Sequence, residues 1–275
     1  MKPITNLKDG SYDFDCFATI ERKKEKDRLN YQANSLLPLE EKIWLDAGLK
    51  EGMQIVDLGC GTGTISIAIA KKFPNADILG VDCSERLLDS ARQLQKQKHL
   101  TNVKFVLGDV YALNLSNGVS DFVYGRLLFQ HLAEPVKALK EIARVLKPEG
   151  KVCLVDVADS WFALNPEPPA FRTLREGLRT IQASQGGDAR VGYKLGSYLS
   201  KAGFSNVKTR VEVVTSDRLG GIEQFLELFS FGSPYYALDR NLEKLALAAR
   251  EETAKLVNVT HAWGAFGLFV ATGTR

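Results

Sequence analysis

The residues best equipped for chemistry in this chain stand at alternate positions, Asp57-x-Gly59-x-Gly61-x-Gly63. Three glycines so placed leave no Cβ between the backbone and a ligand, and they accept backbone angles that other residues resist. A helical pattern opens at Thr64, so its first N–H groups point back into the turn. A small molecule is therefore expected to lie across residues 59–63. Carboxylates follow at Asp82, 21 residues after Gly61, and at Asp109. His131 adds an imidazole whose unperturbed pKa suits proton transfer near neutral pH.

The elements that must hold these residues can be read from the apolar pattern. Ile55, Val56 and Leu58 suit a strand covered on both faces. From there to about residue 157 strands and helices alternate. Strands are expected at 53–58, 77–82, 103–107, 120–125 and 151–157, and helices at 64–73, 84–98 and 135–146. Ser84 has the chemistry of an N-cap, and Leu87, Leu88, Ala91 and Leu94 make one stripe of the helix it opens. Pro135 sits where a first helical turn tolerates it. This alternation predicts an α/β fold, a doubly wound, mostly parallel seven-stranded sheet with helices on both faces. Ligands of such sheets bind at the C-terminal strand ends, where Gly59, Gly61 and Gly63 fall.

Upstream, residues 1–15 read as irregular, and two helices are expected between residues 16 and about 47. The mixed-sign run at 21–28 has the character of a solvated helix face. Downstream the alternation is interrupted twice. A helix near 192–202 and strands at 206–214 and 263–272 resume it. The expected division is an N-terminal helical leader or lid over 1–49 and a domain over 50–275, with helical cap insertions at about 159–191 and 215–258.

Composition narrows the function classes. The chain has 275 residues, 45% hydrophobic and 25% charged, with a net charge of +3. These values fit an ordinary globular protein and give no basic face for nucleic acid. Cys16, Cys60, Cys83 and Cys153 form no C-x-x-C pair, and three scattered histidines offer no metal-ligand spacing, so no metal is expected. The first residues lack an apolar signal core and no apolar run is long enough to span a bilayer, which predicts a cytoplasmic protein. A homodimer is compatible with all of this.

A dinucleotide site requires G-x-G-x-x-G or G-x-G-x-x-A. Here Gly59-x-Gly61 is followed by Thr64, and Gly61-x-Gly63 by Ser66, so neither spacing is completed. The pattern instead resembles motif I of the class I S-adenosylmethionine-dependent methyltransferases, whose sheet is Rossmann-like. Gly80-Val81-Asp82, Gly108-Asp109-Val110, Asp121-Phe122-Val123-Tyr124, Arg126 to His131, and Arg144-Val145-Leu146-Lys147-Pro148-Glu149-Gly150 fall where that family has its later motifs. Glu149 stands where the family often has glycine. The likeness covers about 50–157 well and 192–214 loosely.

The resemblance implies S-adenosyl-L-methionine as cofactor, with S-adenosyl-L-homocysteine as product. It implies that Gly59, Gly61 and Gly63 let the backbone approach the methionine part, that Asp82 meets the ribose hydroxyls and that Asp109 is the adenine-binding acidic residue. Asp57, Cys60, Cys83 and Val110 are expected at the cofactor site too, with Cys60 and Cys83 as small packing residues beside it. Arg126 falls in the segment beneath the sulfonium. Glu21…Arg28-Leu29…Gln32 resembles a subgroup whose leading helix closes over the cofactor, with Tyr12 and Gln32 folding over the methionine moiety. Each residue also has a plain structural reading: Asp82 as a helix-terminal anion, Asp109 as a turn former, His131 as a packing or capping residue. As a catalytic group His131 would be a general base.

The reaction so implied is in-line displacement at the sulfonium methyl, which asks the protein chiefly to position a nucleophile and exclude water. Acceptor choice is expected to come from the leader and the insertions. Trp161, Phe162, Phe171, Phe225, Phe229, Phe231, Tyr235 and Tyr236 suggest a pocket for a small apolar or aromatic molecule, centred on a loop at 229–236. The alternatives are a methyltransferase acting on RNA or protein, a nicotinamide-dependent dehydrogenase, and a non-catalytic module that only binds the cofactor.

Overall fold

A computed structural model describes residues 11–12, 14–16, 19–229 and 240–275. One eight-stranded sheet organises it. β1 (Gln54–Leu58), β2 (Asp77–Asp82), β3 (Val103–Leu107), β4 (Ser120–Arg126) and β5 (Leu146–Val157) are parallel, in the spatial order β3-β2-β1-β4-β5. β8 (Trp263–Thr274) runs antiparallel to β5 and is flanked on its other side by β7 (Ser205–Thr215). A short β6 (Ala163–Asn165) pairs with the start of β8, beyond the end of β5. This extra strand departs from the expected seven. It lies inside the first insertion, and three residues between aromatic and proline-rich sequence leave too little alternation to read.

The buried strands explain the apolar runs. β1 is buried at every residue after Gln54, and β4 is buried at Phe122, Val123, Tyr124 and Gly125. Their faces are covered by α2 (Thr64–Lys72), α3 (Glu85–Gln97), α4 (Pro135–Val145) and α6 (Leu195–Lys201). Ser84 caps α3, its hydroxyl accepting from the Leu87 N–H at 3.3 Å. Pro135 opens α4, where its missing N–H has no helical partner to lose.

Two helices were expected before the first strand, yet α1 (Thr19–Ala47) is continuous across Pro38. Proline removes one ladder hydrogen bond and normally breaks a helix. Tertiary packing overrides that cost. Ile43 and Trp44 are fully buried, and the Trp44 indole meets the Tyr124 ring of β4 edge-on with centroids 6.2 Å apart. The second half of α1 is thus core.

The two insertions meet. The first carries α5 (Pro169–Ser184), and the second carries α7 (Ile222–Leu226) and α8 (Arg240–Ala254). α5 packs against α8, and the Ala170 N–H donates to the Glu252 carboxylate at 2.8 Å. Phe162, Phe171, Phe225, Phe229 and Phe266 form one aromatic cluster beneath them, with ring centroids 5.0 to 5.9 Å apart. Offset and edge-to-face pairs of this kind add about 0.5–1.5 kcal/mol each beyond their burial. Two segments distant in sequence therefore make one cap.

Candidate active site

The C-terminal ends of β1, β2, β4 and β5 open into a cavity of about 1270 Å³. Pockets for a single small ligand run from about 300 to 1,000 Å³, so this one has room for two molecules side by side. Its floor is the glycine turn. The N–H groups of Gly59 and Cys60 donate to the Val81 carbonyl at 2.8 and 3.1 Å, which locks the turn to β2. Gly61 has φ +55°, and a Cβ there would meet nothing within 4 Å, so its open side is the cavity itself.

Gly63 behaves differently. It does not line the cavity. A Cβ on it would lie 2.7 Å from the Ala91 Cβ and 2.8 Å from the Phe105 ring, so this glycine lets α2 approach α3 and β3. These neighbours give Gly63 a packing role.

Asp82 joins the turn to the second helix. One of its oxygens accepts the Gly61 N–H at 2.8 Å and the other the Ser84 N–H at 2.9 Å. Burial raises its pKa, against the lowering effect of those N–H groups. Asp57 lies deeper, with its carboxylate 2.5 Å from the Ser66 hydroxyl of α2. Burial pushes its pKa to about 7. Burial likewise raises the Cys60 thiol, and both Cys60 and Cys83 line the cavity. Asp109 and Val110 stand at the lip. Asp109 is exposed, accepts the Tyr111 N–H at 2.8 Å and closes a turn, as its structural reading anticipated.

Arg126 is held by a residue that the sequence reading missed. Glu40 of α1, fully buried, accepts from the Arg126 Nε at 2.5 Å and from the Tyr124 hydroxyl. The Arg126 Nη2 is buried and has no hydrogen-bond partner among the described residues. A signal for Glu40 existed: at 36, 40, 43, 44 and 47 it falls on the apolar stripe of its helix.

The leader supplies a second buried pair. Glu25 accepts from Arg28 at 2.7 and 2.9 Å and from the Tyr12 hydroxyl at 3.1 Å. The run at 21–28 is thus not wholly a solvated face. Burial, reinforced by the Glu25 charge, holds the Tyr12 hydroxyl well above its usual pKa. Arg28 Nη1 donates to the Leu228 carbonyl at 3.0 Å, and Gln32 reaches the same oxygen at 3.5 Å. Tyr12, Gln32, Glu25 and Arg28 all line the cavity.

His131 ends a short helical turn after β4. Leu127, just before that turn, carries φ +51°, a strained value for a leucine. Buried Asp156 accepts the Gln130 N–H at 3.1 Å and anchors the turn to β5. The imidazole faces the cavity with its Nδ1 3.1 Å from the Ser11 hydroxyl, while the Ser11 N–H donates to the His131 carbonyl at 3.0 Å. The Tyr12 ring lies 5.1 Å away. Burial lowers the imidazole pKa to about 4, with Glu25 opposing and Arg28 adding to the shift. His131 is therefore neutral at pH 7 and a weak proton acceptor.

The far wall belongs to the cap. Phe162, Leu178, Gln182, Phe229, Phe266 and Leu268 line it. Phe171 and Phe225 lie inside the cap and do not line the cavity, while Trp161 is 44% exposed and packs on Phe269. Phe231, Tyr235 and Tyr236, with the rest of the loop at 230–236, lie outside the described residues. Asp159 also lines the wall, its carboxylate held by Arg175 at 2.8 Å and Arg179 at 3.2 Å. Among the described residues, no cluster of three or more His, Cys, Asp or Glu side chains is placed to hold a metal, and no helix is long and apolar enough to cross a membrane.

Known proteins resemble this arrangement. The profile of a methyltransferase domain family matches residues 49–189. An uncharacterized methyltransferase of Schizosaccharomyces pombe is 38% identical over 112 residues, 38% of this chain and 40% of that protein. The demethylmenaquinone methyltransferase of Staphylococcus aureus is 31% identical over 157 residues, 55% of this chain and 61% of that one. The matches thus span less than two thirds of these relatives' lengths. A solved phosphoethanolamine N-methyltransferase 2 of Haemonchus contortus, holding phosphomonomethylethanolamine and S-adenosylhomocysteine, shares the fold at a TM-score of 0.63 and 16% identity, covering 96% of this chain and 60% of that one.

Proposed function

This chain belongs to the methyltransferase domain family, within the class I S-adenosylmethionine-dependent methyltransferases, and on that premise we propose that it methylates a small, apolar or aromatic molecule. The observation that carries the reading is one continuous cavity with a glycine turn and Asp82 at one end and an aromatic cap at the other. When bound, S-adenosylmethionine supplies a methyl group already activated by a sulfonium.

The residues present fit that cofactor. Gly61 leaves open space where its methionine part must pass close to the backbone. The orphaned Arg126 Nη2 suits the methionine carboxylate, since a buried donor without a partner costs about 1–3 kcal/mol until one arrives. Asp82 keeps lone pairs for the ribose hydroxyls, and Asp109 with Val110 borders the adenine. Tyr12 and Gln32, carried by the leader, close over the methionine end. Asp57 lines the cavity and, through Ser66, fixes the turn. Ser11, Tyr12 and the first half of α1 form the lid, latched through His131. With a pKa of about 4, the imidazole is better matched to that latch than to general-base work.

Incubating the protein with methyl-labelled S-adenosylmethionine and fractionated cell extract tests the proposal. A labelled small molecule is the expected product; label found only in RNA or protein refutes it.

A further inference from the structure

We propose that β7 pairs with β7 of a second copy of this chain, edge to edge and antiparallel, with Val211 of each copy opposite the other. β7 has β8 on one side and, among the described residues, no strand on the other. Two bonds fix the direction of its main-chain groups. The Ser216 N–H donates to the Gly264 carbonyl at 2.8 Å, so from 208 to 216 the even-numbered residues turn their N–H and C=O groups to β8. The odd-numbered ones turn theirs outward. In agreement, the Val213 carbonyl accepts from the Arg218 guanidinium at 2.9 Å. Thr209, Val211, Val213 and Thr215 therefore present a row of outward main-chain groups, which is a template for another strand.

The charges select the occupant and its register. Arg210 and Glu212 share the face turned to α1, where Arg210 reaches Asp46 at 3.1 Å and Glu212 at 3.0 Å. Outward groups pair with outward groups, so Arg210 stands opposite an even-numbered residue of the second copy: Lys208, Arg210, Glu212 or Val214. Lys208 repels it. Opposite Arg210 the two guanidinia meet, although Glu212 then faces Lys208. Opposite Val214 the two Glu212 carboxylates meet. Only opposite Glu212 is every facing charge complementary, and the two-fold axis makes that pair twice. It is also a non-hydrogen-bonded position, where facing Cα atoms come closest, at about 4.5 Å.

On the other face this register sets Val211 against Val211 and Thr209 against Val213, β-branched pairs that suit a sheet. Val213 is 43% exposed, and Trp161 and Tyr193 stand nearby, 44% and 50% exposed. Both rings pack on Phe269, and Trp161 lies over Gly267 next to Val211. The second copy thus gains apolar surface to cover on one face and ion pairs on the other. Pairing requires the Arg218 contact to yield the Val213 carbonyl to the Thr209 N–H of the second copy. The axis passes through Val211 perpendicular to the sheet, so the two cavities open at opposite ends of one continuous sheet.

Sedimentation velocity of the full chain over a concentration series tests this, with circular dichroism to establish that each variant is folded. The parent is expected as a dimer that dissociates on dilution. Arg210→Glu and Glu212→Arg should each weaken it at least about tenfold, since each turns two facing pairs of opposite charge into like charges. Mixing these two variants should restore the dimer, because each then meets opposite charges on the other, which no bond within one chain supplies. Val211→Pro removes an outward N–H and none directed to β8, so it should abolish pairing while the sheet stands. Arg218→Ala should tighten the dimer by freeing the Val213 carbonyl. A parent that stays monomeric at every concentration up to its solubility overturns the proposal. A dimer indifferent to these substitutions, or charge variants that remain apart when mixed, overturns it as well.

Discussion

Replacing Glu40 by leucine removes the carboxylate that holds the Arg126 Nε and accepts the Tyr124 hydroxyl. Arg126 is 11% exposed and Glu40 not at all, so solvent cannot take over either role. Breaking a buried ion pair from one side costs about 3–5 kcal/mol, because the surviving charge stays buried and uncompensated. Taking about 4 kcal/mol, the ratio of folded to unfolded protein falls roughly a thousandfold. For a domain approaching this size that lowers Tm by about 8–16 °C. The assay is chemical denaturation of four proteins: the parent, Glu40→Leu, Arg126→Met and the double variant. Each single change is expected to be costly. The double variant should recover much of the loss, since apolar side chains often replace a buried pair, but stay about 1–3 kcal/mol below the parent because the buried Tyr124 hydroxyl still lacks its acceptor. It should nevertheless bind S-adenosylmethionine poorly, having lost the Nη2 donor. A cost under about 1 kcal/mol for the Glu40 change, or full cofactor affinity in the double variant, refutes the reasoning.

Other outcomes follow from the same geometry. Asp82→Ala should weaken S-adenosylmethionine at least tenfold in calorimetry, as hydrogen bonds to a charged group are worth about 1.5–3 kcal/mol each; undiminished affinity removes the ribose assignment. Gly63→Ala should destabilise the fold by about 1–3 kcal/mol through its clash with Ala91 and Phe105, whereas Gly61→Ala should act more on cofactor affinity. Reversed effects in denaturation and binding would show the two glycines misassigned. Asp57 and Asp156 are raised from 3.8 to about 7 by burial, so the folded protein holds protons that the unfolded chain has released. Their contribution is full below about pH 4 and declines by up to about 1.4 kcal/mol per pH unit for each group as pH rises to 7. Asp57→Asn should remove one proton from that slope, and an unchanged slope between about pH 5 and 7 counts against the raised pKa.

The parallel half of the fold was legible because its strands are buried on both faces and its helices carry one-sided stripes. Leu87, Leu88 and Ala91 announced α3 as clearly as Ile55 and Val56 announced β1. Local signals failed where a distant contact outweighed them. Pro38 spelled a break, but Trp44 packed on Tyr124 keeps α1 whole. Glu40 lies on the apolar stripe of α1, but that it meets Arg126, 86 residues away, is visible only in the fold. Among the cap aromatics, composition suggested a pocket, and only packing separates Phe162 and Phe229, which line the cavity, from Phe171 and Phe225, which hold the cap together. The glycine turn told of a ligand at Gly61, whereas the tight neighbours of Gly63 lie in other elements.

The way α1 grips the second insertion bears on how such a protein can change its diet. Arg28 and Gln32 donate to the Leu228 carbonyl, and the Tyr31 hydroxyl donates to that of Gln224. All three grips are on main-chain oxygens, which every residue type presents alike. Through these three bonds the helix recognises the path of the insertion rather than its side chains. Phe229, which lines the cavity beside the gripped residues, can be exchanged without removing any of these bonds. A lineage built this way can trade one acceptor for another by point changes in the insertion, while the helix and cofactor end stay under their own constraint. Inserting or deleting a residue near 224–228 is the costly move, because it slides both oxygens off their donors.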